Sequence, residues 1–226
     1  QYPTIQSAIN AANPGDTILV DPGTYPEYVC VNKSIKLIGT NRLSKITGGA
    51  GSNTRVVDVK VGSISFTGNV IIKGFTVQGP NLNYNGIYVA PPAYVYFSNI
   101  NITDNTVIGC KDAIYYLRSK YCYITNNTCL SSTYGIRLCD SYYSLVDENF
   151  INASGYYGIN FYTHSNYNNI TRNIVAYTKY GVHIESTNFT YMYLNKIENN
   201  TEYGLRITYG YNTTVKGNNI AYNKIG

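Results

Sequence analysis

From Gly86 onward the apolar positions of this chain fall into a two-point register. A glycine, alanine in one copy, stands at Gly86, Ala113, Gly135, Gly158, Gly181 and Gly204, at spacings of 27, 22, 23, 23 and 23 residues. One residue after it come Ile87, Ile114, Ile136, Ile159, Val182 and Leu205; three after it come Val89, Tyr116, Leu138, Phe161, Ile184 and Ile207. The position between them is polar or amphipathic: Tyr88, Tyr115, Arg137, Asn160, His183 and Arg206. A second anchor, an asparagine at Asn105, Asn127, Asn149, Asn173, Asn195 and Asn218, is followed two positions on by Val107, Cys129, Ile151, Val175, Ile197 and Ile220. Such alternation predicts short strands with one buried face, and its recurrence predicts a repeat architecture.

A unit of about 23 residues with three short strands cannot bury its own apolar side. Coiled on itself, with turns stacking at about 4.8 Å, it makes one continuous core. The expected fold is therefore all-β: a single-stranded parallel β-helix of about eight to nine coils over residues 17–226. The anchor glycines are expected at tight corners or positive φ. The asparagines are expected to tolerate the left-handed region and to form stacked amide ladders.

Upstream the period is looser. Residues 17–39 read as strand, turn, strand, turn, strand; VIIKGFTV (70–77) places Gly74 where later coils have asparagine; residues 47–53 and 80–86 read as loops. Ile5, Ala8, Ile9 and Ala12 share one helical face, Thr4 can N-cap it, and Pro14-Gly15 ends it. The prediction for residues 1–16 is a short helix capping the exposed strand edges of the first coil.

Composition adds a surface of hydroxyls and amides. The 226 residues hold 26 Tyr and 29 Asn, no Trp, and 17 basic against 12 acidic side chains. No run of Lys or Arg offers a stripe to track phosphates, so nucleic acid is not an expected partner. No apolar run reaches the roughly 20 residues of a membrane span. The start at Gln1 fits a mature protein whose signal peptide has been removed, and equally an excised fragment of a longer chain. Eight Asn-x-Ser/Thr sequons, at Asn32, Asn101, Asn126, Asn152, Asn169, Asn188, Asn199 and Asn212, are a mild excess over chance and are the glycosylation candidates of an exported chain.

With the repeat in hand, the sequence resembles the right-handed parallel β-helix proteins of the pectin-lyase-like superfamily. Its opening, YPTIQSAINAANPGDTILVDPGTYPEYVCVNKSIKLIGTN, is similar to NosD-like surface proteins of archaea. That resemblance implies the fold; for function it implies only a range, from polysaccharide lyases, glycoside hydrolases and epimerases to cell-surface proteins and tailspikes, so a site must be argued separately.

A hydrolase of this fold needs carboxylates clustered on one outward strand face. The adjacent pair Asp147-Glu148 aligns with Thr and Asn or Arg in neighbouring coils, and the paired-Asp and Gly-His-Gly signatures of polygalacturonase-like relatives are absent. The best candidate groove is the outward column of Arg137, His183 and Arg206, with Glu185 two residues beyond His183. Solvated charges on a strand face explain the same column without catalysis. His164 and His183 occupy non-equivalent positions and there is one Met, so the copper role attached to NosD relatives finds no expected site; no cofactor is expected. Of the five cysteines, Cys129 falls in the core column, Cys110 at a turn with Ser132 and Ser154, and Cys122 and Cys139 in outward columns. No two stack, which leaves either a diagonal pair or a bridge between chains.

Tyr134, Tyr157, Tyr180 and Tyr203 each precede an anchor and should stack rung upon rung; Tyr94, Tyr121 and Tyr143 form a second column, and Tyr96, Tyr123 and Tyr191 a third. The closing AYNKIG aligns with AYTKYG (176–181), so Gly226 lands on the anchor of a further coil. Two readings of this end stand: the chain is part of a longer one, or the uncovered coil offers unpaired strands to a neighbouring subunit, in which case Tyr222, Ile225 and Gly226 join the tyrosine column as assembly candidates. The expectation is a secreted structural protein of the cell surface that self-assembles into a filament or layer. The competing expectation is a carbohydrate-active enzyme or polysaccharide-binding module.

Overall fold

A computed structural model of the chain describes residues 1–49, 54–60, 69–92 and 95–226. Residues 50–53 of the expected first loop, and Tyr94, lie outside the described residues. Among the described residues the chain forms three long parallel sheets of nine, nine and eight strands, and each coil crosses all three before returning to the first. The coil Asn169–Thr171, Ile174–Ala176, Tyr180–Glu185 is typical. About eight turns stack into a parallel β-helix, as the register predicts, with the right hand that the resemblance implies. Ile136, Ile159, Val182 and Leu205 pair in sequence along one axis. The first three are fully buried, and Leu205 packs against them partly buried.

The helix spans Ile5–Ala11 with Thr4 as its N-cap in a capping box, and buries Ile5, Ala8 and Ile9. Glu27 accepts its free amides from Ile5 (2.9 Å) and Gln6 (3.0 Å), and Lys33 Nζ meets the carbonyls of Ile9, Asn10 and Ala12. Acid at the start and base at the end suit the helix dipole. The Gln6 amide pairs with both the N–H and the C=O of Cys30, closing the edge of the first strand of the eight-stranded sheet.

Two corrections concern the corners. The anchor glycines are not the positive-φ residues. They lie in or beside strands where coils nearly touch: a Cβ on Gly181 would sit 2.5 Å from the Gly204 carbonyl oxygen, and one on Gly135 would sit 2.6 Å from Ile151 Cγ2. The left-handed corners are instead made by ordinary residues in four columns. One column holds Asp104, Asn126, Glu148, Arg172 and Leu194; another holds Tyr121, Tyr143, Tyr167 and Phe189; φ lies between 51° and 58° at each. Each such residue costs about 1–2 kcal/mol outside glycine. In much of these columns the cost is offset by the residue that follows, which turns inward and is bonded to the next coil.

The asparagine ladder is the longest of these. Nδ2 of Asn105, Asn127, Asn149, Asn173 and Asn195 donates to Oδ1 of the next asparagine at 2.8–3.2 Å, and also to a core carbonyl such as Val146 O. The residue before each asparagine, not the asparagine, takes the left-handed conformation. Gly74 accordingly aligns with Asp104, one place off its expected position, and Phe75 takes the asparagine's slot, its N–H donating to Asn105 Oδ1.

All five cysteines are unpaired. Cys122 turns inward, its N–H donating to Ser144 Oγ in a ladder, which corrects the outward placement. Cys110, Cys122, Cys129 and Cys139 are buried, so a bridge to another chain from these four is closed off. Burial pushes the Cys110 and Cys122 thiols up to about 12.

Candidate functional site

The outward side of the eight-stranded sheet carries the predicted groove. Asp58, Tyr88, Tyr115, Arg137, Asn160, His183 and Arg206 lie in one column. Asp112, Tyr134, Tyr157, Tyr180 and Tyr203 lie in the one beside it. Strand alternation sets this face, since the intervening residues fill the core.

The expected solvated column is instead a packed polar layer. His183 is 4 % exposed and Asn160 2 % exposed. Neighbouring side chains cause this: the His183 ring stacks on Tyr157 with centroids 4.9 Å apart and lies beside Tyr180. Asn160 Nδ2 reaches both His183 Nδ1 (3.2 Å) and the His183 carbonyl (3.3 Å). With two donors on Asn160, Nδ1 is the acceptor, and the ring proton sits on Nε2, donated to Thr208 Oγ1 at 2.8 Å. Burial lowers the pKa of His183, partly countered by Glu185, whose carboxylate is 4.0 Å from Nδ1. The ring is neutral with both nitrogens engaged. This corrects its candidacy as a base, because no lone pair faces a ligand.

Arg137 is likewise consumed within the layer. Nη1 pairs with Asp112 Oδ1 at 2.8 Å, Nη2 donates to the Tyr162 hydroxyl at 2.9 Å, and the guanidinium lies 4.4 Å from the Tyr134 ring centroid. Burial raises the Asp112 carboxyl above the usual range, opposed by Arg137. A second ion pair mirrors the first: Arg55 Nη1 meets Asp58 Oδ2 at 2.8 Å and lies 3.9 Å over Tyr88, and Tyr28 donates to the same oxygen. Asp58 and Asp112, both buried, are the residues of this candidate site that sequence reasoning missed. Their signal was position: Asp112 fills the slot that tyrosines hold in later coils.

Around these pairs the rings run along the axis. Centroids are 5.9 Å apart for Tyr134–Tyr157, 5.3 Å for Tyr157–Tyr180 and 5.7 Å for Tyr180–Tyr203. Tyr156 packs edge-on against Tyr157, and Lys179 bridges to Glu202 at 3.3 Å. Arg206 lies 5.5 Å from the Tyr203 ring and 5.7 Å from the Tyr180 ring.

The second tyrosine column forms a separate stripe on a corner and continues through Tyr167 and Phe189. Its rings are nearly coplanar, 12°, 13° and 3° apart, at 5.3, 5.0 and 4.6 Å. The third is corrected: Tyr123 and Tyr191 share a column through Leu145 and Asn169, but Tyr96 flanks Phe97, whose partner is Ser119, and bonds to Asp140.

Among the sequons, Asn32, Asn126, Asn169 and Asn212 are exposed, and Asn101, Asn152, Asn188 and Asn199 are half-buried. Ile225 bridges Tyr203, which aligns Gly226 with Gly204 as the sequence predicts, and Tyr222 is exposed. No helix among the described residues is long and apolar enough to cross a membrane.

Several solved structures share the fold. The enzymatically active domain of bacteriophage CBA120 tailspike protein 2 superposes with a TM-score of 0.58 at 13% identity, over 98% of this chain and 40% of that one. This chain thus spans about two-fifths of the tailspike domain. Carrot pectin methylesterase gives 0.53 at 16% identity, over 100% and 85%, and the A-module of Azotobacter vinelandii mannuronan C-5 epimerase AlgE6 gives 0.53 at 12%, over 98% and 93%. No curated protein matches the sequence. A family profile described as "Periplasmic copper-binding protein (NosD)" matches residues 9–226.

The described residues do not fit copper. Both His183 nitrogens are bonded, Met192 is wholly inside the core, and no three or more His, Cys, Asp or Glu converge among the described residues. The match nevertheless covers nearly the whole chain, with the fold to go with it: the chain belongs to the NosD family of right-handed parallel β-helix proteins.

Proposed function

We propose that this chain is an extracytoplasmic polysaccharide-binding module, and that a glycan lies along the outward face of its eight-stranded sheet. One observation carries the reading. The column Tyr134, Tyr157, Tyr180, Tyr203 repeats one amphipathic ring per rung beside guanidinium, amide and hydroxyl groups, and the half-buried rings of Tyr134, Tyr157 and Tyr203 are open to a polymer, while Tyr180 is packed beneath its neighbours. The fold is also that of a tailspike enzymatic domain, a pectin methylesterase and a mannuronan epimerase, which supports the reading at the level of fold alone. The reading assigns binding and not turnover, since His183 and Arg137 spend their polar atoms on neighbours.

Affinity electrophoresis through gels containing polysaccharides tests it. Wild type should be retarded, and Tyr203→Ala, which removes a half-buried ring at about 1 kcal/mol, should weaken binding by about fivefold. Equal mobility in every gel sinks the reading.

Self-assembly is the second reading, favoured by the corner stripe, where Tyr121, Tyr143, Tyr167 and Phe189 are 43–50 % exposed. Exposed aromatic bands of this kind fit a lateral contact between copies. Sedimentation at rising concentration tests it: a constant monomer mass removes it. Glycans at Asn32, Asn126, Asn169 and Asn212 belong to the same proposal and are read by peptide mass spectrometry of native material.

A further inference from the structure

We infer that the polymer on this face is an acidic heteropolysaccharide, whose charged sugars stand apart among neutral ones, and that Arg206 binds its acid; the inference rests on the binding reading above.

The arginine column supplies its own comparison. Arg137 and Arg206 hold the same outward position three rungs apart. One rung back in the neighbouring column stands Asp112 for Arg137 and Tyr180 for Arg206. Arg137 therefore closes a 2.8 Å pair with a carboxylate. Arg206 lies 5.7 Å from the Tyr180 ring and 5.5 Å from the Tyr203 ring, and among the described residues it has neither ion pair nor hydrogen bond. The acids of these rungs face other groups. Glu185 Oε2 stands 4.0 Å from His183 Nδ1, and Glu202 is 3.3 Å from Lys179, with Lys224 also acting on it. Arg206 is half-buried, so packing holds its planar fork beside the open ring of Tyr203. A ligand acid there fills the role that Asp112 fills for Arg137, while its sugar lies on Tyr203.

The rungs behind Arg206 argue for wide spacing of the acids. Along these two columns and the corner beside them, the next cation without a direct partner is Lys111, exposed on the rung of Asp112, on which it acts. Four rungs separate it from Arg206, about 19 Å at a strand spacing of about 4.8 Å. In between, Arg137 is engaged by Asp112 and Tyr162, Lys179 by Glu202, and Asn160 carries no charge. His183 is held neutral, and Glu185 adds an exposed carboxylate. A polyuronate lays a carboxylate on every sugar. Several of them would meet these rungs without a countercharge, and one would meet Glu185, at a cost in desolvation and repulsion.

The test uses the whole chain in affinity gels at low and high salt. The gels are cast with gellan or xanthan, which space their acids among neutral sugars, with polygalacturonate, or with an uncharged glucan. Expected is stronger retardation by gellan or xanthan than by the other two polymers, falling as salt is raised. Arg206→Gln should weaken that binding at least about tenfold, since it removes a charged donor. Lys216→Gln removes the same charge from another sheet and should stay within about twofold of wild type.

Polygalacturonate or the glucan retarding the chain as strongly as gellan and xanthan overturns the inference and leaves the binding reading standing. So does an Arg206→Gln variant with unchanged circular dichroism that binds as wild type does. Retardation of wild type by gellan or xanthan that salt leaves unchanged overturns it whatever the variant does. Retardation by no polymer overturns both.

Discussion

The two long aromatic columns are products of one periodicity and have opposite characters. On the eight-stranded sheet, Tyr134, Tyr157, Tyr180 and Tyr203 stand on strands, and their rings meet at varied angles with cations and amides between them. On the corner, Tyr121, Tyr143, Tyr167 and Phe189 hold left-handed backbone and stack nearly flat. A flat stack along the axis spends its ring faces on itself and shows only edges outward. The difference teaches that counting exposed tyrosines does not locate a site; what decides it is which ring atoms and polar partners stay available.

The largest way to break the comparison is through the ion pair under the first column. Arg137→Ala takes the ion-pair partner from buried Asp112, leaving only the more distant Lys111, and should cost about 3–5 kcal/mol, read as a lowered midpoint in urea. No single change in the corner stripe should approach that. A loss below about 1 kcal/mol would mean that the layer is wetter than its burial implies.

Glycine substitution sharpens the contrast at intermediate size. Tyr157→Gly removes a stacked ring from strand backbone and should cost about 2–3 kcal/mol. Tyr143→Gly loses comparable stacking but relieves left-handed strain of about 1–2 kcal/mol, and so should fall within about 1 kcal/mol of wild type. Equal losses in thermal unfolding would show that the corner conformation carries no strain.

The smallest effect is titration of His183. Its folded pKa lies below the value of 6.5 that the unfolded chain keeps, because burial disfavours the charged ring. The unfolded state therefore binds the proton first. Stability should decline as pH falls through 6.5 and level off below the folded pKa, and His183→Gln should flatten that slope. A slope unchanged in the variant would place the titration elsewhere.

The sequence carried much of the fold because a β-helix writes its core as columns. Ile136, Ile159, Val182 and Leu205 were legible as such, and so was the asparagine ladder. The corners were not. Glu148, Arg172, Leu194 and Tyr143 have no local turn preference and take positive φ only because the coils above and below fix their amides: Glu148 N, for example, donates to Thr171 O. The stripe was legible at Tyr121 and Tyr143 and lost at Tyr167, 24 residues on, where the coil is longer. At the site, column membership was readable but burial was not, since His183 and Arg137 are enclosed by side chains from neighbouring rungs. Asp58 lay upstream, where the period is irregular.

The central claim is that the sheet face, and not the corner stripe, holds the polymer. Hydroxyl-radical footprinting of the tyrosines, with and without a saturating polysaccharide that retards the protein in gels, measures it directly. The account predicts protection of Tyr134, Tyr156 and Tyr203, with Tyr121, Tyr143 and Tyr167 labelled as before. Protection confined to the corner tyrosines would contradict it.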